Sequence, residues 1–147
     1  MTSHRTVLAQ AVLVGTLCGV GARVLMRMIT DLSRNLPEFT WGGTLALVII
    51  FVIAAVAAAG AALARGPVLV RAVLGFLPAA LIAFVAVMNT VPQVEDVLAV
   101  PSSDHVRLTA MAVGIVVLAL ATAAVPWTLG LRARRTAVVG VAATLHQ

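Results

Sequence analysis

The amino-acid sequence predicts an all-α fold, an integral membrane four-helix transmembrane bundle with both termini on the cytoplasmic side. Two observations predict this class. Of the 147 residues, 62% are hydrophobic and only 10% are charged, whereas a soluble domain has about half apolar and a quarter charged residues. The hydrophobic residues also form four long runs, and a chain this short cannot bury such an excess in one core. Residues 1–147 are therefore predicted to form a single membrane domain that lipid solvates.

The first two apolar runs predict spans over residues 6–28 and 44–64. A helix rises about 1.5 Å per residue, so each run can cross a hydrocarbon core about 30 Å thick. Residues 30–43 form the first outer connection, where Pro37 prevents the first helix from continuing. Trp41 stands at the end of this connection, where an interfacial aromatic anchor is expected.

The middle of the chain predicts a tight helical hairpin. Arg65-Gly66-Pro67 indicates a helix stop and restart, because glycine is favoured just past a helix C-terminus and proline at the first helical position. So short a connection makes the second and third spans antiparallel neighbours. The third span is predicted over residues 72–91, and Pro78 should bend it because its ring removes a backbone hydrogen bond.

The fourth span is predicted over residues 106–129, with Trp127 as the second interfacial anchor. Residues 92–105 form the other outer connection and are predicted to contain a short helix that lies along the interface. Residues 130–147 form a cytoplasmic tail. Its apolar part, 137–145, is too short to span. Three alternatives remain for it: an extension of the fourth helix, a segment lying on the membrane, or a loosely ordered end.

The arginines predict the orientation of the bundle. Cytoplasmic connections carry an excess of basic residues, and the side with the termini and the middle turn has six arginines against four on the other side. The six are Arg5, Arg65, Arg71, Arg132, Arg134 and Arg135, and the four are Arg23, Arg27, Arg34 and Arg107. Because every basic residue is arginine and small apolar residues dominate, the composition is typical of a GC-rich bacterium. We therefore expect a bacterial plasma membrane protein.

Residues spaced by four mark the first span: Gly15, Gly19, Arg23, Arg27 and Asp31. The glycines match a pattern that allows close helix approach, and Gly60 and Gly114 are predicted to serve packing in other spans. Arg27 and Asp31 can pair on one helix face. Four residues turn a helix by about 400°, so the glycines and the arginines should serve adjacent sectors.

Arg23, Arg27, Arg34 and Asp31 form the candidate site. A guanidinium group suits bidentate recognition of phosphate or carboxylate, so these residues predict a contact with an anion, a lipid headgroup or a partner protein. The alternative is that the arginines neutralise loop carboxylates or hold lipid phosphates without a further role, their long stems reaching the interface. The sequence leaves both interpretations open.

Other chemistry is not predicted. The central part of each span lacks Asp, Glu, His and Lys, so no proton relay or ion-coupled carboxylate is indicated. No nucleophile motif, phosphate-binding loop or metal-ligand spacing occurs, and Cys18 is interpreted as a small buried thiol. The sequence therefore predicts no enzyme, metal or cofactor. The position of the arginines at span ends argues against nucleic-acid binding.

Two motifs, Gly19-x-x-x-Arg23-x-x-x-Arg27 and Pro37-x-Phe39-Thr40-Trp41-Gly42-Gly43-Thr44, resemble a group of small, uncharacterised four-helix membrane proteins of high-GC bacteria. The resemblance implies a fold and a location but no activity. We expect an accessory, structural or interaction protein with a charged outer rim, whose partners are the lipid bilayer and another membrane protein or a second copy. The alternative is a small transporter or channel with a pathway formed only in an oligomer, and a lipid-modifying enzyme ranks third.

Overall fold

A computed structural model describes residues 4–32, 41–90 and 102–144. These residues form four helices, each of which is long and apolar enough to cross a membrane. The all-α class and the number of spanning-length helices are thus confirmed for the described part of the chain. The helices are α1 (His4–Leu32), α2 (Trp41–Leu63), α3 (Val68–Thr90) and α4 (Ser102–Thr144).

All four helices start earlier than the predicted spans, and α1 and α4 also end later. α1 includes Asp31 and α2 begins at Trp41, so both residues lie in helices rather than in the predicted connection. α3 begins at Val68, four residues before the predicted start, and α4 continues through most of the predicted tail. The physical reason is that the prediction ended each span with its apolar run. A helix continues into polar surroundings as long as its backbone hydrogen bonds are kept.

Successive helices run in opposite directions, and the contact between α2 and α4 lies at the centre of the bundle. α1 packs on α2 and α4, α3 packs on the same two helices, and α2 and α4 also contact each other. Val7 of α1 clusters with Ala59 of α2 and Leu129 of α4. We call this end of the bundle, with residues 4–8, 60–71 and 127–135, the termini end. The opposite end, with residues 23–31, 41–45 and 104–108, is the connection end.

The core is built mainly from alanine methyl groups. α2 buries one aromatic residue and five alanines, namely Phe51, Ala54, Ala55, Ala58, Ala59 and Ala62. The other helices contribute further fully buried alanines, namely Ala11, Ala22, Ala79, Ala119 and Ala123. Small side chains let helix backbones approach closely, and close packing replaces the hydrophobic drive that lipid removes. This explains how an alanine-rich α2 can touch all three neighbours.

The outside of the bundle is apolar. Large hydrophobic side chains point outward on every helix, for example Leu13, Ile53, Leu81 and Val117. Soluble monomers rarely expose contiguous apolar patches larger than a few hundred Å². The exterior therefore matches a lipid solvent, in agreement with the length of the helices.

The connection between α2 and α3 lies where the sequence predicts that one helix ends and the next begins. Gly66 has a φ of 147°, in the region that glycine occupies at least cost. The Ala64 N–H donates to the Gly60 carbonyl at 2.9 Å, and the Arg71 N–H donates to the Pro67 carbonyl at 3.2 Å. Pro67 thus precedes the first helical residue rather than occupying that position, a shift of one residue that leaves the hairpin unchanged.

α4 is the longest element and runs through a buried proline. Pro126 lies inside it, and one turn earlier the buried Thr122 hydroxyl donates to the Leu118 carbonyl at 2.7 Å. Its 43 residues correspond to about 65 Å. Of the three alternatives for the tail, extension of the fourth helix is therefore correct as far as Thr144.

Two other expectations are not tested. Pro78 lies inside α3, but the predicted bend stays a prediction. The predicted interfacial helix between residues 92 and 105 falls mostly on residues 91–101, outside those that the structure describes.

Candidate functional site

α1 and α2 are in backbone contact along the stretch that leads to the candidate site. A Cβ atom built on Gly15 would lie 2.6 Å from the Val52 Cα atom, and one built on Gly19 would lie 2.9 Å from the Val48 Cα atom. Side chains larger than hydrogen therefore cannot occupy these positions without moving α2. The two glycines set the distance and the register between the helices.

Arg23 follows Gly19 by four residues on the same face of α1, and it therefore lies against the beginning of α2. Its Nε atom donates to the Thr44 hydroxyl oxygen at 3.1 Å, and the bond is partly buried. The amino end of a helix carries a partial positive charge, so α2 itself does not favour a cation there. The close packing of α1 on α2 therefore holds the Arg23 guanidinium group beside the partial positive charge at the amino end of α2. An anion placed between the guanidinium group and this helix end would be attracted by both.

Arg27 lies one turn further and is turned towards the surface. Its Nε atom is 4.0 Å from the Asp31 Oδ2 atom, and the two side chains are 53% and 62% exposed. The pair expected from the spacing is thus present. Exposed helix pairs of this kind contribute only about 0.3–0.5 kcal/mol, so Asp31 can be displaced by a better ligand. Arg34, the third predicted arginine, lies outside the described residues.

The arginines therefore divide between two environments. Arg23 shares the α2-facing sector with Gly15 and Gly19, whereas Arg27 occupies the adjacent, exposed sector. The expectation that glycines and arginines serve adjacent sectors holds for Arg27 and is wrong for Arg23. The reason is that each step of four residues adds about 40° of rotation, so Arg23 is about 80° from Gly15 and Arg27 about 120° from it.

α4 adds a second ion pair at the connection end. Asp104 lies in the first turn of α4, where the helix dipole favours a carboxylate, and its Oδ1 atom is 3.7 Å from the Arg107 Nη1 atom. Among the described residues, this end of the bundle thus carries three arginines and two carboxylates. Its surface is rich in charge with a small positive excess.

The other predicted packing and anchoring residues have different surroundings. A Cβ atom on Gly60 would meet nothing within 4 Å, and one on Gly114 would lie 3.0 Å from the Leu25 Cδ1 atom. Gly60 is exposed, so it does not bring α2 against another described helix. Trp41 is 80% exposed at the start of α2, as an interfacial side chain would be. Trp127 is half-buried between helices.

Sequence reasoning missed the role of Arg71. This side chain is only 5% exposed, and its Nε atom donates to the Ala61 carbonyl at 2.8 Å. Its Nη2 atom donates to the Ala62 carbonyl. These carbonyls belong to the last turn of α2, where backbone acceptors lack helical partners and the helix dipole favours a cation. Arg71 thus caps α2 from the first turn of α3.

Trp127 completes this cap from α4. The Arg71 guanidinium carbon lies 5.6 Å from the Trp127 ring centroid, and Trp127 meets Phe76 edge to face at 5.7 Å and 60°. Arginine over an aromatic face is a favourable contact. The signal available in the sequence was an arginine one turn after Pro67, since a short hairpin returns that turn to the end of the preceding helix.

No family model, curated protein or solved structure matches this chain. The resemblance to small four-helix membrane proteins therefore stays a prediction. Within the described residues, no group of three or more His, Cys, Asp or Glu side chains could hold a metal ion. The described side chains of the connection end include three arginines, whose guanidinium groups suit phosphate and carboxylate.

Proposed function

We propose that this chain is a small multi-pass protein of the bacterial plasma membrane, with both termini cytoplasmic, that acts as an accessory or interaction protein. Its contact surface is the charged rim at the connection end, on the outer side. The observation that carries the proposal is the bond from Arg23 to Thr44 at 3.1 Å. This bond holds the Arg23 guanidinium group at the lipid boundary, in a position set by the backbone packing of α1 on α2.

The rim supplies two adjacent cationic groups for one anion. Arg23 is held in place beside the amino end of α2, and Arg27 is about half exposed one turn away. Helix amino ends and guanidinium groups both favour phosphate or carboxylate. An acidic side chain of a neighbouring membrane protein fits this arrangement. A phospholipid headgroup offers the same chemistry and is the alternative source of the anion.

The interior supports a contact function better than transport. Around α2 the described core consists of alanines, Val7, Phe51 and Cys18. Its buried polar side chains, Thr122 and Arg71, are both bonded to backbone carbonyls. Such a core offers little to line a water-filled path. The proposal therefore assigns the contact to the rim and gives the interior a packing role.

The test removes both rim arginines and follows what remains bound. We expect the Arg23→Ala, Arg27→Ala double variant to insert normally but to lose at least about tenfold of a co-purifying protein or lipid, since each charged hydrogen bond contributes about 1.5–3 kcal/mol. Native mass spectrometry from mild detergent measures bound protein, bound lipid and copy number together. It also distinguishes the two sources of the anion.

The matched control is the Arg5→Ala, Arg65→Ala variant, which removes the same charge from exposed positions at the termini end. It should keep the companion molecule. The proposal would be contradicted if both double variants kept the co-purifying protein or lipid to the same extent. Solute flux through liposomes that contain only the purified chain would instead establish the transporter.

A further inference from the structure

The termini end carries a second charged surface, which the proposed function does not use. Four arginines there are exposed and Arg134 is half-buried. Within the part of the chain that the structure describes, both carboxylates, Asp31 and Asp104, belong to the opposite end of the bundle. This surface is therefore cationic throughout. Its exposed arginines are Arg5, Arg65, Arg132 and Arg135.

Three of these arginines lie within one turn of α4. Ala133 packs against the cluster that contains Val7 and Ala59, so this side of α4 faces the bundle. Successive helix residues are rotated by about 100°. Arg132 and Arg135 therefore project to the side of α4 that faces away from its neighbours. The half-buried Arg134 lies instead on the face of Trp127, seven residues earlier, which is turned towards α3.

The depth of this group is fixed by the end of α2. Gly130 of α4 is so close to Ala62 that an added Cβ atom would lie 2.6 Å from the alanine Cβ. Ala62 is the last residue but one of α2, the uncharged spanning helix. Arg132 to Arg135 follow Gly130 by about 3–7.5 Å along the axis. They therefore stand just beyond the hydrocarbon, at the level of lipid phosphates.

We infer that the arginines of this turn, with Arg132 and Arg135 on its outward side, bind the phosphate groups of anionic phospholipids in the adjoining leaflet. Guanidinium groups match phosphate in charge and in bidentate geometry. Basic clusters directly outside a spanning helix attract anionic lipid. Arg132 and Arg135 lie on the outward side of α4, the side that the lipid of this leaflet covers.

Trp127 provides a local reporter for the test. It lies five residues before Arg132 and is half-buried between α3 and α4. In the Trp41→Phe variant it is the remaining tryptophan. This variant is reconstituted into vesicles of equal parts phosphatidylcholine and phosphatidylglycerol, with brominated chains on one lipid or the other. Quenching of Trp127 fluorescence then measures which lipid lies beside α4.

We expect a roughly fivefold higher relative affinity for phosphatidylglycerol, the preference that one basic side chain near an anionic surface provides. Adding Arg132→Gln, Arg134→Gln and Arg135→Gln should remove the preference, and lysine at the same three positions should keep it. Single Arg132→Gln and Arg135→Gln variants should each lower it in part, which keeps the test decisive if the triple variant folds poorly.

The matched control replaces Arg23, Arg27 and Arg107 by glutamine in the same background. It makes an equal change in net charge at the connection end, so it should leave the preference at Trp127 intact. Equal quenching by both lipids in the parent variant would overturn the inference. So would a preference that survives the triple glutamine variant, or that the control abolishes to the same extent.

Discussion

Arg71 shows how one buried cation can satisfy two needs of a membrane bundle. Its guanidinium group requires acceptors away from water, and the last carbonyls of α2 require donors. The bonds to Ala61 and Ala62 meet both needs. The face of Trp127 covers the guanidinium from α4. One residue of α3 thus connects the termini ends of three helices.

Replacement of Arg71 should therefore destabilise the fold. We expect Arg71→Leu to lower the free energy of unfolding by about 2–4 kcal/mol, because two carbonyls lose a charged donor. Arg71→Lys should retain part of the stability, since its ammonium group lacks the planar, bidentate geometry. Titration with a denaturing detergent, followed by circular dichroism, measures the change. Arg65→Leu is the exposed control, and equal stability of the two leucine variants would refute the cap.

The residue-level features differed in how far the sequence could predict them. The pairing of Arg27 with Asp31 and the close approach at Gly15 and Gly19 follow from spacing along one helix. The contacts of Arg23 with Thr44 and of Arg71 with α2 depend on the register between helices. Spacing along one helix carries no information on that register. The burial of Arg71 therefore had to come from the structure.

α1 and α2 are antiparallel, and every fourth residue on the contact face of α1 lies against every fourth residue of α2. Gly15 lies against Val52, Gly19 against Val48, and Arg23 against Thr44. The position of the rim arginine is thus a consequence of backbone contact two turns away. Any change that separates the helices at the glycines should also disturb the contact surface.

Gly15 and Gly60 differ in the space around them, so alanine substitutions at these two positions give a matched comparison. We expect Gly15→Ala to cost about 1–3 kcal/mol, because the new methyl group overlaps the Val52 backbone. Gly60→Ala should be neutral or stabilising by up to about 1 kcal/mol, since alanine favours helix and the space there is open. The same detergent titration distinguishes them. A Gly15→Ala variant as stable as Gly60→Ala would show that the helices are not in backbone contact.

The elements themselves were predictable in number and type but not in length. Four apolar runs predicted four spans because hydrocarbon thickness requires about 20 apolar residues per crossing. This requirement sets a lower limit for a helix and no upper limit. Asp31 and the stretch from 130 to 144 are helical for this reason, although their polarity or shortness placed them outside the predicted spans.

At the scale of the whole molecule, an alanine core and an apolar exterior reverse the arrangement of a soluble protein. Close contact of small residues holds the helices together, and lipid covers the large side chains. Over residues 4–32, 41–90 and 102–135, the charged side chains lie at the two ends, with both carboxylates at the connection end. The excess of arginine at the termini end underlies the proposed orientation, with that end in the cytoplasm.

Cysteine labelling tests the orientation without changing charge. In a Cys18→Ala background, Gly42→Cys and Ala64→Cys place single thiols at exposed positions of the two ends. We expect a membrane-impermeant maleimide to label Gly42→Cys on intact cells and Ala64→Cys only after permeabilisation. The reverse pattern would invert the orientation and leave the bundle itself unaffected.

The continuity of α4 has a mechanical consequence. Its nine residues past Arg135 are helical as far as Thr144, which carries the end of the helix about 13 Å beyond Arg135. Because the part of α4 past Pro126 is continuously helical, a change in the tilt of this part would swing its end in proportion to the distance from the proline. Thinning or curvature of the bilayer would thereby become a lateral displacement in the water outside it.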